Sequence, residues 1–336
     1  MAARSGPRTA APLALGERPL EQVTKGDWAA KVLGARLSLQ VIFTAACVSC
    51  SSGPEEDTMS YKTILTVLTE EKLGDLTLEH GYALAEAQGA HLDVLCIGVD
   101  RTPGGYFRNG SNTMMVQQAL SQAAETAEEL ATHARAWLHD ASIAWAVETG
   151  SAPLPDVARN VAGRARFADL VVLPKPYGKD HGIELVPVIE GALFEGLTPV
   201  MVVPDDTTPM VAPERVVLAW NGSAECLRAV RASLPVLAAA KTVHVVLVDP
   251  PGGPAAMTTD GLLARYLARH AIKVEIDVLA KRGRRVSDIL LEHGREVGAE
   301  MIVMGAYGHS RFREAILGGA TRNMLEQAEV PVLMAH

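Results

Sequence analysis

Ala299-Glu300-Met301-Ile302-Val303-Met304-Gly305 is an acidic residue, then a wholly apolar run, then a glycine. Ala168-Asp169-Leu170-Val171-Val172-Leu173 repeats the pattern at an offset of 131 residues. Downstream, Val330-Pro331-Val332-Leu333 repeats Thr198-Pro199-Val200-Met201 at an offset of 132. Apolar runs this short, without polar alternation, are the mark of strands buried on both faces, as in a parallel sheet. Two such pairs at offsets one residue apart make the chain an internal duplication.

Working outward from these runs gives ten strands. The first block has Ile64–Leu68, Leu92–Val99, Ile143–Val147, Leu170–Leu173 and Val200–Val203. The second has Val216–Ala219, Val243–Val248, Val274–Leu279, Ile302–Met304 and Val332–Met334. Helical patterns in the first block fall near Gly74–Gln88, Met114–His139, Pro153–Arg166 and Ile183–Glu195. The fold class is therefore α/β: two tandem, open, parallel five-stranded sheets with helices on both faces, Rossmann-like. The expected boundaries are a tail over 1–58, a first domain over 59–204, a linker over 205–213 and a second domain over 214–336. The join, beginning at Pro204 and ending at Pro213, is short and proline-punctuated, so it reads as stiff.

Composition narrows the classes. The 336 residues are 48% hydrophobic and 21% charged, enough for two ordinary cores. A formal net charge of −8 argues against general nucleic-acid binding. It leaves room for a small phosphate ligand held by local backbone dipoles. The longest apolar stretch of the tail, Leu37–Val48, is broken by Ser38, Gln40 and Thr44 and is too short for a membrane span of roughly 20 residues. Cytoplasmic residence without a membrane partner is expected. Met59 looks like a natural start, so residues 1–58 read as a disordered tail or an extension from a misplaced start codon. A targeting segment is the alternative. Cys47 and Cys50 form one C-x-x-C with no second pair, and Cys96 and Cys226 sit in core patterns. The ten histidines fall into no metal-ligand spacing, so no metal site is expected.

One constellation carries chemistry. After the fourth strand of the second block, Gly305 and Gly308 are followed by nine residues and then Gly318-Gly319-Ala320-Thr321. The strand end puts Gly305 at the carboxyl edge of the sheet, where open α/β folds bind ligands. Glycines let a ligand approach the backbone. Gly318-Gly319 lead into a helical stretch, Ala320–Gln327, whose first N–H groups would stabilise a phosphate, and Thr321 could add a hydroxyl. No Walker loop and no G-x-G-x-x-G is present. No spacing supports a Ser/His/Asp or Cys/His set, so no catalytic residue is expected and hydrolysis would be slow at most. Trp220 could stack on a base, but at a strand end packing is favoured. His309, with Arg311 and Arg313, reads either as phosphate-engaging or as solvated loop charge.

This arrangement resembles the universal stress protein (UspA) family, tandem-domain type, whose ATP-binding members carry G-x2-G-x9-G-[ST] after the fourth strand. Gly305, Gly308 and Gly318 match, and the likeness covers about residues 59–336. It implies an adenine nucleotide alpha hydrolase-like fold, an internal pseudo-dimer or homodimer through the last strand, and a role in stress response or signalling with protein partners unspecified. It also implies ATP as cofactor, with Mg2+ as an option. Gly305 and Gly308 would approach ribose and phosphates, and Gly318, Gly319, Ala320 and Thr321 would line the phosphate end beside His309. Ala219 and Asn221 would sit by the nucleoside and Val248 by the base.

Two positions depart from the pattern. The family's aspartate is Asn221 here, and its Ser/Thr after the third glycine is Gly319. One lost hydrogen bond to a charged group is worth about 1.5–3 kcal/mol, roughly 10- to 100-fold in affinity. ATP binding is expected to be weakened or altered. In the first block Pro174, Tyr177 and Val186-Pro187 replace the glycines, so that block is expected to lack the site. Two rival readings are a ligand-free interaction protein and a nucleotidyl-transferring α/β enzyme. The latter would need a metal-binding carboxylate or an activating lysine at the loop, and none is evident.

Overall fold

Ten strands form a single sheet in the order β3-β2-β1-β4-β5-β10-β9-β6-β7-β8. The computed structural model describes residues 60–102, 113–179, 181–250, 258–306 and 319–336. The tail with Cys47 and Cys50, and the loop residues Gly308, His309 and Gly318, lie outside them.

The first half contributes β1 (Thr63–Leu68), β2 (His91–Asp100), β3 (Trp145–Pro153), β4 (Leu170–Pro174) and β5 (Val200–Val203). The second contributes β6 (Arg215–Ala219), β7 (Thr242–Val248), β8 (Val274–Leu279), β9 (Met301–Gly305) and β10 (Val332–Ala335). Within each half all pairings are parallel. The two expected five-stranded sheets are thus joined edge to edge. β10 pairs antiparallel with β5, with Met201 opposite Leu333 and Val200 opposite Met334. Every residue of β5 and β10 is buried, which explains why both runs are apolar on both faces.

Helices cover both faces. On one lie α1 (Glu71–Gln88), α2 (Thr113–Trp137), α5 (Ala224–Ala232), α6 (Leu234–Ala239) and α7 (Thr258–Arg269). Their apolar residues, among them Leu78, Leu130, Val230 and Leu267, form one core with Ile64, Leu92, Val216 and Val243. On the other lie α3 (Val157–Ala165), α4 (Leu185–Glu190), α8 (Val286–Val297) and α9 (Gly319–Gln327). Val161, Ile189, Leu290 and Met324 pack there against Leu65, Val171, Val217 and Val246. Both cores run through both halves. Cys96 and Cys226 are buried in the first of them, as their patterns implied.

Two elements differ from expectation. The third strand runs over Trp145–Pro153 rather than Ile143–Val147. It is an edge strand, and Gly150, Ser151 and Pro153 break the apolar signal while β2 still supplies its ladder. The helix expected over Ile183–Glu195 is α4 followed by a π-turn, Gly191–Glu195. Among the described residues, no helix is long and apolar enough to cross a membrane.

Candidate functional site

At the carboxyl ends of β6 and β9 the strand order reverses. β6 leads into α5 on one face, and β9 leads towards α9 on the other. Such a switch point opens a crevice at the sheet edge. Two helix N-termini face this part of the fold, and they differ electrostatically.

The α5 terminus is filled by its own chain. Asn221 Oδ1 accepts a hydrogen bond from Ser223 N at 2.9 Å, closing a turn in which Gly222 has φ +76°. Ser223 caps the helix, its Oγ accepting from Cys226 N at 3.2 Å. The Glu225 carboxylate accepts from its own backbone N–H, and this holds it below the usual carboxylate range. A second anion at α5 would meet this carboxylate. At α9 the first turn has no acidic residue, and Gly319 and Ala320 are exposed. Of the two termini, only that of α9 carries no carboxylate among the described residues of its first turn.

Gly305 has a packing reason to be glycine. A Cβ there would stand 2.6 Å from Cys226 N and 2.8 Å from Glu225 C, so the first turn of α5 crosses directly over the end of β9. Gly319 is the opposite case: a Cβ there would meet none of the described residues within 4 Å. Thr321 is buried, with 4% of its surface exposed, while its two predecessors are open. Trp220 is 6% exposed and belongs to the core, so it packs rather than stacks. Ala219 and Val248 end β6 and β7 half-buried. Asp249 then turns out of the sheet with φ +44°. The structure thus gathers Ala219, Asn221, Val248 and Gly305 at one sheet edge, with Gly319, Ala320 and Thr321 opening α9.

The equivalent edge of the first half holds side chains instead. Glu184 is fully buried and accepts from Arg101 Nη2 at 2.5 Å and Nε at 3.1 Å. His181 Nε2 lies 3.3 Å from Asp205 Oδ2, and Lys175 Nζ lies 4.0 Å from the same oxygen. The Tyr177 ring lies under the Arg322 guanidinium of α9, 5.1 Å away.

Away from the edge, His244, Asp277 and His293 converge from β7, β8 and α8. Hydrogen bonds from both histidines hold the Asp277 carboxyl well below its ordinary range. Sequence reading missed this group, because its members lie on three elements at irregular spacing.

Residues 213–336 match the model of the universal stress protein family. A universal stress protein of Synechocystis sp. is 26% identical over 121 residues, which is 35% of this chain. That match spans 41% of the relative's length. Among solved structures, a universal stress protein from Archaeoglobus fulgidus DSM 4304 superposes with a TM-score of 0.61 at 18% identity, covering 81% of this chain and 95% of that one. A Pseudomonas aeruginosa UCBPP-PA14 protein superposes with a TM-score of 0.52 at 13% identity, covering 83% and 94%. These two likenesses extend over both halves and concern the fold. Residues 213–336 thus carry a universal stress protein domain, and the first half shares its fold.

Proposed function

We propose that the second half binds an adenine nucleotide, ATP or a close relative with or without Mg2+, and that the chain serves as a nucleotide-responsive stress or signalling protein. The observation that carries this reading is the α9 terminus, which opens at Gly319-Ala320 without an acidic cap beside the β6/β9 switch point. The spacing of Gly305, Gly308 and Gly318 supports it from the sequence. Asn221 tempers the affinity, because it lacks the carboxylate charge and already spends a lone pair on Ser223 N.

The test is calorimetric titration of the chain with ATP–Mg2+ and with AMP, beside a thermal melt. A ligand at 100 times its Kd stabilises by about 2.7 kcal/mol. Gly319→Val should abolish that heat and melting shift while leaving the melting temperature of the free protein in place, since its Cβ meets none of the described residues within 4 Å. Unchanged nucleotide binding in that variant would remove the α9 terminus as the site.

A further inference from the structure

The carboxylate of Asp277 faces two imidazoles at once. Its Oδ2 is 3.1 Å from His244 Nδ1 and 3.0 Å from His293 Nε2. A second carboxylate flanks the group, with Glu275 Oε2 3.8 Å from His244 Nδ1. In the parallel register, Glu275 is the partner of His244 and Asp277 that of Val246, so both acids rise on the α8 face of the sheet. Both histidines are buried, at 8% and 9% exposure, beside the core residues Leu290 and Val246. One ligand atom from each of His244, Asp277 and His293 lies within 4.8 Å of the others.

The duplication supplies an internal control. By strand register Asp93 occupies the place of His244, and Glu148 that of Asp277. Ala162 precedes β4 by as many residues as His293 precedes β9. The first half therefore builds the same strand–strand–helix packing without the two buried imidazoles; the imidazole there, His91, keeps 40% of its side chain exposed and meets Asp93 at 3.2 Å. There Glu148 pairs with Arg164 at 3.3 Å, beside a cavity of about 360 Å³ lined also by Asp93 and Phe167. An acid on the edge strand is common to both halves and suits an edge. The two buried histidines are peculiar to the second, so the fold does not require them.

We propose that His244, Asp277 and His293 form a binding site for a divalent transition-metal ion of the Zn2+ type, separate from the nucleotide crevice. Two neutral imidazoles and one carboxylate are a borderline donor set, suited to Zn2+ rather than to Mg2+ or Ca2+. Ligand atoms around a tetrahedral zinc ion stand roughly 3.3 Å apart, given bonds of about 2.0–2.1 Å. The two nitrogen–oxygen separations are already close to that, and the two nitrogens, within 4.8 Å of each other, would draw together as the ion binds. Glu275 or water takes the fourth position. β8 is the last strand of the sheet and Asp277 keeps 20% of its side chain exposed, which gives an ion a path in.

The experiment uses the tag-free whole chain carrying Cys47→Ser and Cys50→Ser, stripped with chelator and dialysed against Zn2+ or Co2+. Elemental analysis should find one metal per chain, and Co2+ should give the visible absorption of a four-coordinate nitrogen–oxygen site without a thiolate band. His293→Ala should weaken binding by more than the roughly 10- to 100-fold that outer-shell partners are worth. His133→Ala, which removes an imidazole paired with a single carboxylate at 2.6 Å, should leave it unchanged. No Co2+ band in the unsubstituted site overturns the proposal whether or not the variants fold. So does Zn2+ binding that survives both His293→Ala and Asp277→Asn.

Discussion

Gly305 and Gly319 flank one loop and are glycines for different reasons. Gly305 is held by the α5 backbone, so Gly305→Ala must push a helix off a strand end; a loss of about 1–3 kcal/mol in urea unfolding is expected. Gly319 has none of the described residues within 4 Å of its Cβ position, so its replacement should alter ligand binding and leave stability alone. Sequence spacing treats the two alike; only the packing separates them. His133 offers a pH readout. Its Nε2 hydrogen bond to Asp75 raises its pKa above the usual imidazole value. The pair's stabilisation is full below the unfolded value, near 6.5. It is lost as pH rises through the higher folded value. Proton NMR should show His133 titrating above an exposed histidine, and Asp75→Asn should abolish the difference. The pair is partly solvated, so its effect on overall stability should be slight.

Helix α5 begins on two local devices, the Ser223 cap and Glu225 in the first turn. Ser223→Ala should cost about 1 kcal/mol by chemical denaturation. A change within a few tenths of a kcal/mol would mean the cap bond contributes little. The edge strand β3 was harder to read because its residues are only half-buried, and burial is what writes the apolar pattern. Central strands β4, β5, β9 and β10 are covered on both faces and were readable nearly to the residue. The convergence of His244, Asp277 and His293 was not legible at all. It is created by sheet order and one helix face, and no local spacing encodes it.

At the scale of the molecule, the two halves share a sheet and both cores. Tyr61 Oη donates to Ala232 O at 2.7 Å, and the rings of Phe194 and His336 meet edge to face at 4.8 Å, each across the halves. Unfolding should therefore be one cooperative event. Far-UV circular dichroism and the fluorescence of Trp220, with the other tryptophans replaced by Phe, should give the same urea midpoint. Two separated transitions would show that the β5–β10 junction does not couple the halves. The duplication and the order of elements were legible from the repeated runs. The antiparallel junction was implied by family resemblance alone, because an apolar strand does not announce which neighbour will cover it.

That junction has a consequence for how such a chain can diverge. Two separate copies meeting through their last strands would have to remain identical, each preserving both a partner surface and a crevice. Here the segment from Pro204 to Pro213 makes the meeting intramolecular, so association depends on tether geometry rather than on abundance. The partners are fixed at one to one, and each is free to specialise. One carries Pro174 and Tyr177 where the other keeps Gly305 and Gly308, while the strand order and the repeated apolar runs are still shared.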